Sequence, residues 1–168
     1  MLAEKDSNDL ELIAANPSQK PVFENLLQLY LHDMSTYFPD LTCEDGRYEN
    51  RILDEAWQHP FLFRARGQIA GFALITTKCT IRDRDPCWYV AEFFVLRPFR
   101  RHGIGRAAIN ALFARLQGAW EITWFDGNLP AARFWPRVIP LTERETFQIH
   151  DDGLDWTSVA FTAPVATA

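Results

Sequence analysis

The fold is decided by the stretch from Trp88 to Arg106, which reads WYVAEFFVLRPFRRHGIGR. Its first half, Trp88 to Leu96, is almost continuously apolar, which is typical of a strand buried on both faces in the middle of a sheet. Its second half, Arg100 to Arg106, holds two glycines and three arginines and is followed by a helix-like pattern. A strand, a short glycine-bearing turn and a helix start leave several backbone N–H groups unpaired and directed the same way. Together with the positive end of the helix dipole and the arginines, they predict a site for a phosphate or pyrophosphate.

The pattern of apolar residues in the rest of the chain predicts a mixed α/β sheet with a parallel crossover over 88–125. The predicted strands are 9–15, 61–66, 69–77, 88–96, 119–125, and two near 144–150 and 155–162, with hairpin turns at Gly67-Gln68 and Asp151-Asp152-Gly153. The predicted helices are Pro21 to about Phe38, 103–117 and 130–138, with a further short helix within 41–60 that His59-Pro60 closes. The charged segment Arg82–Pro86 predicts a mobile loop. Residues 1–168 are expected to form one domain.

Composition and charge narrow the classes of function. The formal net charge of −5 argues against a nucleic-acid-binding surface, because such domains are usually basic. The N-terminus lacks the apolar core of a signal peptide, and no run of 18 or more apolar residues occurs, so we expect a soluble, cytoplasmic protein with no membrane partner. The three cysteines, Cys43, Cys79 and Cys87, form no C-x-x-C pair, so we expect neither a metal site nor a disulfide but reduced thiols.

Two segments carry a resemblance to a known family. Arg100-x-x-Gly103-x-Gly105 resembles the Gln/Arg-x-x-Gly-x-Gly/Ala motif of the GNAT N-acetyltransferases. The later segment from Asn128, with Ala131, Phe134 and Trp135, resembles that family's Asn-x-x-Ala-x-x-Phe-Tyr segment. The first pattern alone is weak, and the second segment with the strand–helix–strand–helix order between them makes it specific. The resemblance covers about residues 69–138, and the N-terminal part agrees only in the order of elements.

The resemblance implies a fold, a donor and a binding site. The fold would be the GNAT acyl-CoA N-acyltransferase fold, a mostly antiparallel central sheet with one splayed parallel strand pair, flanked by helices. The acyl donor would be acetyl-CoA, and no metal would be needed. Backbone groups near two residues of the splayed strand would bind the pantetheine arm and the thioester, and the turn would cradle the pyrophosphate. The implied cofactor-binding residues are Phe94, Val95, Arg100, Arg101, His102, Gly103, Ile104, Gly105, Arg106 and Asn128.

This chain departs from the family pattern in two places. The proline of the turn is displaced by one residue to Pro98, while the spacing from Val95 to Arg100 is preserved, so we expect binding to be kept. Many family members carry a tyrosine that protonates the departing thiolate, and the matching residue here is Trp135. An indole N–H is a donor but not a practical acid, so solvent, another residue or no acid does that work. We favour core packing for Trp135 over a place in the cofactor channel.

Glu92 is the candidate general base. It is the only charged side chain inside the apolar run 88–96, where a carboxylate is costly unless it is used or paired. A base at this position would take the proton from the acceptor ammonium group. The alternative is a structural glutamate, satisfied by an arginine or by backbone at a bulge. Tyr30, Asp33, Tyr37 and Tyr48 are further candidates to face the acceptor, on the family's architecture alone.

The sequence therefore predicts an acetyl-CoA-dependent N-acetyltransferase that acts on a primary amine of a small molecule or a peptide. The alternative is a non-catalytic acyl-CoA-binding regulatory module on the same fold, which the replacement of tyrosine by Trp135 supports and Glu92 opposes. A mononucleotide-binding domain is disfavoured, because Gly-x-x-x-x-Gly-Lys-Ser/Thr does not occur. The aromatic C-terminal strands offer an edge at which a homodimer can form.

Overall fold

The computed structural model describes residues 9–81 and 85–164. They form one seven-stranded sheet in the order β1-β2-β3-β4-β5-β7-β6. The strands are β1 (Leu10–Ala14), β2 (His59–Ala65), β3 (Gln68–Thr76), β4 (Cys87–Val95), β5 (Ala119–Phe125), β6 (Glu145–Asp151) and β7 (Leu154–Thr162). The helices are α1 (Lys20–Met34), α2 (Ile52–Ala56), α3 (Ile104–Arg115) and α4 (Leu129–Val138). The mixed α/β fold predicted from the sequence is confirmed.

The one parallel pair of strands, β4 with β5, is splayed. Pairing covers only Cys87 with Ala119, Trp88 with Trp120, and Tyr89 with Glu121. Beyond these three pairs the strands diverge, although β4 continues to Val95 and stays paired with β3. Every other neighbouring pair of strands is antiparallel. The predicted splayed parallel pair is therefore confirmed, and it leaves one edge of β4 without a strand partner.

A bulge in β4 decides which side chains face which helix. Leu74 lies opposite Glu92, but the next residue of β3, Ile75, lies opposite Val90, so Ala91 has no counterpart. An extra residue of this kind interrupts the regular alternation of a strand. As a result Val90 packs on the α3 side of the sheet, while Phe94, and Glu92 two residues before it, lie on the α1 side.

Each face of the sheet carries its own hydrophobic core. On one face α1 and α2 contribute Phe23, Leu26, Leu27, Leu53 and Ala56. The spacing of the first three of these places them on one stripe of α1, as the helical periodicity of the sequence predicts. On the other face α3 and α4 contribute Ile104, Ala108, Ile109, Leu112, Phe113, Trp135 and Val138. Helices on both faces therefore bury the sheet and leave the open edge of β4 between them.

Two expectations need correction, and a third falls mostly outside the described residues. Helix α1 ends at Met34 rather than near Phe38, because residues 35–37 form turns whose N–H groups bond back to the last helical carbonyls. His59 and Pro60 do not close α2; they begin β2, paired with Ile75 and Leu74. The charged loop predicted at Arg82–Pro86 lies largely outside the described residues, since 82–84 are not among them.

The expectation of reduced cysteines was wrong for two of the three. Cys79 and Cys87 form a disulfide, with their Cα atoms 6.1 Å apart, while Cys43 is free and exposed. Thr76 near the end of β3 pairs with Tyr89 near the start of β4, so the antiparallel pairing brings the two cysteines into bonding range. The spacing of eight residues between the two cysteines does not by itself indicate a disulfide in the sequence.

Gly71 is the position where the sheet tolerates no side chain. A Cβ atom at Gly71 would lie 2.1 Å from the carbonyl oxygen of Phe94 and 3.0 Å from the Cα of Val95. We expect Gly71→Ala to lower the free energy of unfolding by about 3 kcal/mol or more, because β3 and β4 must move apart. Urea denaturation measures this.

Gly67→Ala is the matched control. Gly67 has a φ of +71° but nothing within 4 Å of its Cβ position, so only the left-handed backbone is penalised. We expect this change to cost about 1–2 kcal/mol. Equal costs at the two glycines would contradict the close approach of β3 and β4.

Candidate active site

A cleft of about 1020 Å³ opens at the free edge of β4, between α1, α4 and the start of α3. Of the residues predicted for the donor site, those that line it are Phe94, Val95, Arg100, Arg101, Gly103, Gly105, Arg106 and Asn128. Ile104, His102 and Glu92 do not line it; Ile104 is buried in the α3 core. Of the acceptor-site candidates, Tyr30, Asp33 and Tyr37 line the cleft, whereas Tyr48 lines a second cavity of about 370 Å³ between α1 and residues 43–54.

The turn before α3 has the backbone geometry of an anion site. Gly103 is the N-cap of α3 in the left-handed conformation, with φ of +79°, and no side chain caps the helix. The first hydrogen bond of the helix runs from the N–H of Ala107 to the carbonyl of Gly103, at 2.9 Å. The three N–H groups before Ala107 therefore have no helical acceptor. Arg101 is also left-handed, with φ of +65°, so the chain turns sharply over three residues. These residues fit a pyrophosphate.

Gly105 has a packing role in addition to its expected place in the anion-binding turn. A Cβ atom at this position would meet the ring of Phe134 at 3.3 Å and the side chain of Val95 at 3.6 Å. Its missing side chain therefore lets α4 pack against the first turn of α3. Gly103 provides the turn, and Gly105 provides the contact between two helices.

The side chain of Arg100 is held by the protein. Its Nη2 donates to Asp33 Oδ2 at 2.5 Å, and its Nε donates to the carbonyl of Val95 at 2.7 Å. Its guanidinium also lies over the ring of Phe94, 5.3 Å from the centroid. Arg97 occupies the other oxygen of Asp33, also at 2.5 Å. Arg100 therefore ties α1 to the end of β4, and two of the five N–H donors of its guanidinium are used in these contacts.

Asp33 is ionised by its two partners. Burial of its carboxyl opposes ionisation, but the hydrogen bonds and charges of Arg100 and Arg97 outweigh burial and lower its pKa. Its side chain is only 18% exposed, whereas Arg97 is 70% exposed. The sequence offered Asp33 only as a residue of the acceptor site, and no local pattern links it to the arginines more than 60 positions later.

Glu92 lies beside Tyr30 on the α1 side of the splayed edge. Burial raises the pKa of the Glu92 carboxyl to about 7, against a smaller, opposite effect of its hydrogen bond with Tyr30. The pKa of Tyr30 is raised in turn by burial and by Glu92, so the hydroxyl keeps its proton. Tyr30 lines the cleft and Glu92 does not. A proton from the cleft would thus reach Glu92 past the Tyr30 hydroxyl.

Glu121 is a buried carboxylate that sequence reasoning missed. It is 1% exposed on β5, and its oxygens accept hydrogen bonds from the N–H and hydroxyl of Thr80 and from the N–H of Ile81, at 2.9 to 3.1 Å. Like Glu92, it is a lone charged residue in an apolar strand, so the sequence pattern that indicated Glu92 fits Glu121 as well. Their surroundings separate them, because three donors of the β3–β4 connection satisfy Glu121, whereas Glu92 faces a tyrosine hydroxyl and keeps a pKa near neutrality.

The family comparison agrees with this geometry. The sequence profile of the acetyltransferase (GNAT) family matches residues 23–138. The chain belongs to the GNAT family. No curated protein matches the chain in sequence.

Solved structures share the GNAT fold over nearly the whole chain. A histone acetyltransferase HPA2-related acetyltransferase from Corynebacterium glutamicum has 16% identity and a TM-score of 0.68, covering 95% of this chain and 99% of that one. Naa50 from Arabidopsis thaliana, in complex with a CoA–peptide bisubstrate analogue, has 15% identity and a TM-score of 0.60, covering 92% and 99%. Spermidine N-acetyltransferase from Vibrio cholerae, in complex with CoA and spermine, has 12% identity and a TM-score of 0.61, covering 93% and 96%.

Two residues of the later GNAT motif have defined places. Asn128 caps α4, since its Oδ1 accepts from the N–H of Ala131 at 3.2 Å, and its Nδ2 lies 4.0 Å from Met34 Sδ at the cleft. Trp135 is 6% exposed and packs edge-on against Phe93, with ring centroids 5.3 Å apart. Trp135 therefore packs in the core, as we favoured, and it also lines the cleft.

The Asp33 contacts predict a pH-dependent contribution to stability. We expect Asp33→Asn to lower the free energy of unfolding by about 1–2 kcal/mol at pH 7, since two charge-assisted hydrogen bonds are weakened. Because the folded protein lowers the pKa of Asp33 below its ordinary 3.8, this contribution is complete above that pH and disappears as the pH falls through the folded value. Urea denaturation of both proteins at several pH values measures the difference.

Asp54→Asn removes an exposed partner of Lys20 and serves as the control. We expect it to cost less than about 1 kcal/mol. A difference between wild type and Asp33→Asn that stays constant down to pH 2 would contradict the ionised Asp33.

Proposed function

We propose that the protein is an acetyl-CoA-dependent N-acetyltransferase that transfers the acetyl group directly to a primary amine. The observation that carries this proposal is the left-handed Gly103 turn, whose unpaired N–H groups open onto the cleft at the free edge of β4. Membership of the GNAT family supports it. Relatives in fold bind CoA together with a peptide or with a polyamine, which supports the choice of donor and of an amine acceptor.

Glu92 acts as the general base in this proposal. Its carboxyl, with a pKa of about 7, takes a proton from the acceptor ammonium group, past Tyr30 or through a water molecule. The amine nitrogen then forms a bond to the thioester carbonyl carbon and loses its second proton to solvent, and the carbon–sulfur bond breaks to release the thiolate. A backbone N–H at the free edge of β4 stabilises the developing oxyanion, and most of the rate comes from this and from positioning.

The departing thiolate needs no tyrosine in this mechanism. Trp135 occupies the position of the family's proton donor and is packed into the core. A thiol has a pKa near 8.5, so its anion is a good leaving group that solvent can protonate afterwards.

The acceptor in this proposal is an amine of a small molecule or a peptide. The cellular compartment and the oligomeric state of the enzyme are also part of the proposal. Among the described residues no helix is long and apolar enough to cross a bilayer, and no three His, Cys, Asp or Glu side chains are grouped to hold a metal. The disulfide between Cys79 and Cys87 weighs against a strongly reducing cytoplasm, where such bonds are rare. A homodimer would use the edge strand β6.

A non-catalytic acyl-CoA-binding module is the second candidate. Two observations favour it, the replacement of the family's tyrosine by Trp135 and the absence of Glu92 from the lining of the cleft. Thiol release from acetyl-CoA across a panel of amines separates the two candidates. Turnover with an amine supports the enzyme, whereas tight binding of acetyl-CoA without turnover favours the module.

The donor site is tested by Gly103→Trp. We expect wild-type protein to bind acetyl-CoA in a calorimetric titration and the variant to lose binding, because the indole would fill the turn and disturb the left-handed cap. Gly153→Trp is the matched control, since Gly153 is also left-handed, with φ of +75°, and lies in the β6–β7 turn away from the cleft. Failure of the intact protein to bind acetyl-CoA would overturn both candidates.

The base is tested by Glu92→Gln. We expect wild-type kcat/KM to rise with pH through about 7, as the carboxyl loses its proton, and the variant to be slower by about 10²-fold or more with no such rise. Rates across pH 6–9 with one good acceptor measure both effects. Glu11→Gln, on the edge strand β1, controls for the loss of a charge. An unchanged profile in Glu92→Gln would reject Glu92 as the base.

A further inference from the structure

The cleft carries more positive charge than a pyrophosphate at the Gly103 turn requires. Its lining contains six arginines and one carboxylate, that of Asp33. The arginines are Arg97, Arg100, Arg101, Arg106, Arg133 and Arg137. Asp33 forms ion pairs with the first two of these and offsets one of their two charges. The other four make no ion pair or hydrogen bond through their side chains to any residue in the described ranges 9–81 and 85–164.

These four arginines form two pairs on two helices. Arg101 and Arg106 flank Gly103 at the beginning of α3, where the unpaired N–H groups lie. Arg133 and Arg137 are four residues apart on α4 and therefore lie one above the other on the same face. The contact of Phe134 with Gly105 holds α4 against the first turn of α3. The α4 pair is thus next to the turn but does not belong to it.

The α4 pair has the features of a site for a second phosphate. Two like charges on adjacent turns repel each other and destabilise a helix, and no described acidic side chain relieves them. Both side chains are exposed and border the cleft. The planar guanidinium fork matches the oxygens of a phosphate, with two parallel hydrogen bonds from each arginine.

We propose that Arg133 and Arg137 bind the 3′-phosphate of coenzyme A and make the protein prefer coenzyme A over its 3′-dephospho form. This inference rests on the proposed function, because it places the pyrophosphate of the donor on the α3 turn. Coenzyme A carries a second phosphate, a monoester on the ribose, with a charge of about −1.5 to −2 near pH 7. The ribose separates the two phosphate groups, so the monoester lies beside the pyrophosphate, as α4 lies beside the turn.

Calorimetric titration with coenzyme A and with 3′-dephospho-coenzyme A tests the proposal. We expect wild-type protein to bind coenzyme A about tenfold or more tightly, the effect of losing charge-assisted hydrogen bonds. In the double variant Arg133→Gln/Arg137→Gln this preference should disappear, because only coenzyme A loses a contact. Binding of the dephospho form by the double variant also reports that it is folded.

Two further variants separate the site from general charge effects. Arg101→Gln should weaken both ligands by a similar factor, since the pyrophosphate is common to them. Arg144→Gln removes an exposed arginine outside the cleft and should leave both affinities unchanged.

Equal affinities of wild-type protein for the two ligands would overturn the proposal, and so would a double variant that weakens both ligands equally. If wild-type protein binds neither, the donor assignment falls as well. A wild-type preference that the double variant loses, without acetyl transfer to any amine, would uphold the 3′-phosphate site and refute only the catalytic part of the proposed function.

Discussion

Strands β4 and β5 part after three residue pairs, and the candidate active site lies at this separation. β4 cannot follow β5, because it remains bonded to β3 as far as Val95, and Gly71 lets the two backbones approach closely there. β5 continues instead beside β7 over its whole length. The space between the diverging strands is closed by α3 and α4 on one face and by α1 on the other. The free edge of β4 therefore opens into the cleft.

Asp33 connects the two sides of that cleft and pairs with two of its six arginines. A single carboxylate on α1 binds Arg97 and Arg100, so that the helix that carries Tyr30 is tied to the segment that leads into the Gly103 turn. In the donor complex that we propose, the backbone of the turn and the arginines on α3 and α4 bind the phosphates. The same contacts place Tyr30 between the cleft and Glu92, so the surroundings of Glu92 depend on α1 as much as on β4.

The sequence predicted most of the elements and most of the residues that line the cleft, but it did not predict several of their side-chain contacts. It marked Arg100 and Gly105 as cofactor-binding residues, but it did not predict that the Arg100 side chain also bonds to Asp33 and Val95, or that Gly105 makes room for the ring of Phe134. It singled out Glu92 and passed over Glu121, although both are lone charged residues in apolar strands. Only the donors of Thr80 and Ile81, brought in by the β3–β4 connection, distinguish the two.

The sequence by itself determined the strand, turn and helix of Trp88–Arg106, the order of the elements and the family. The elements follow from periodicity and from glycine conformation, which act over a few neighbouring residues, and the family follows from the resemblance of the two motif segments. Tertiary structure alone decided the disulfide between Cys79 and Cys87, the pairing of Asp33 with Arg100 and the two arginine pairs of the cleft. Those contacts depend on strand order, on the bulge at Ala91 and on the packing of helices from distant parts of the chain, and no local pattern encodes such distances.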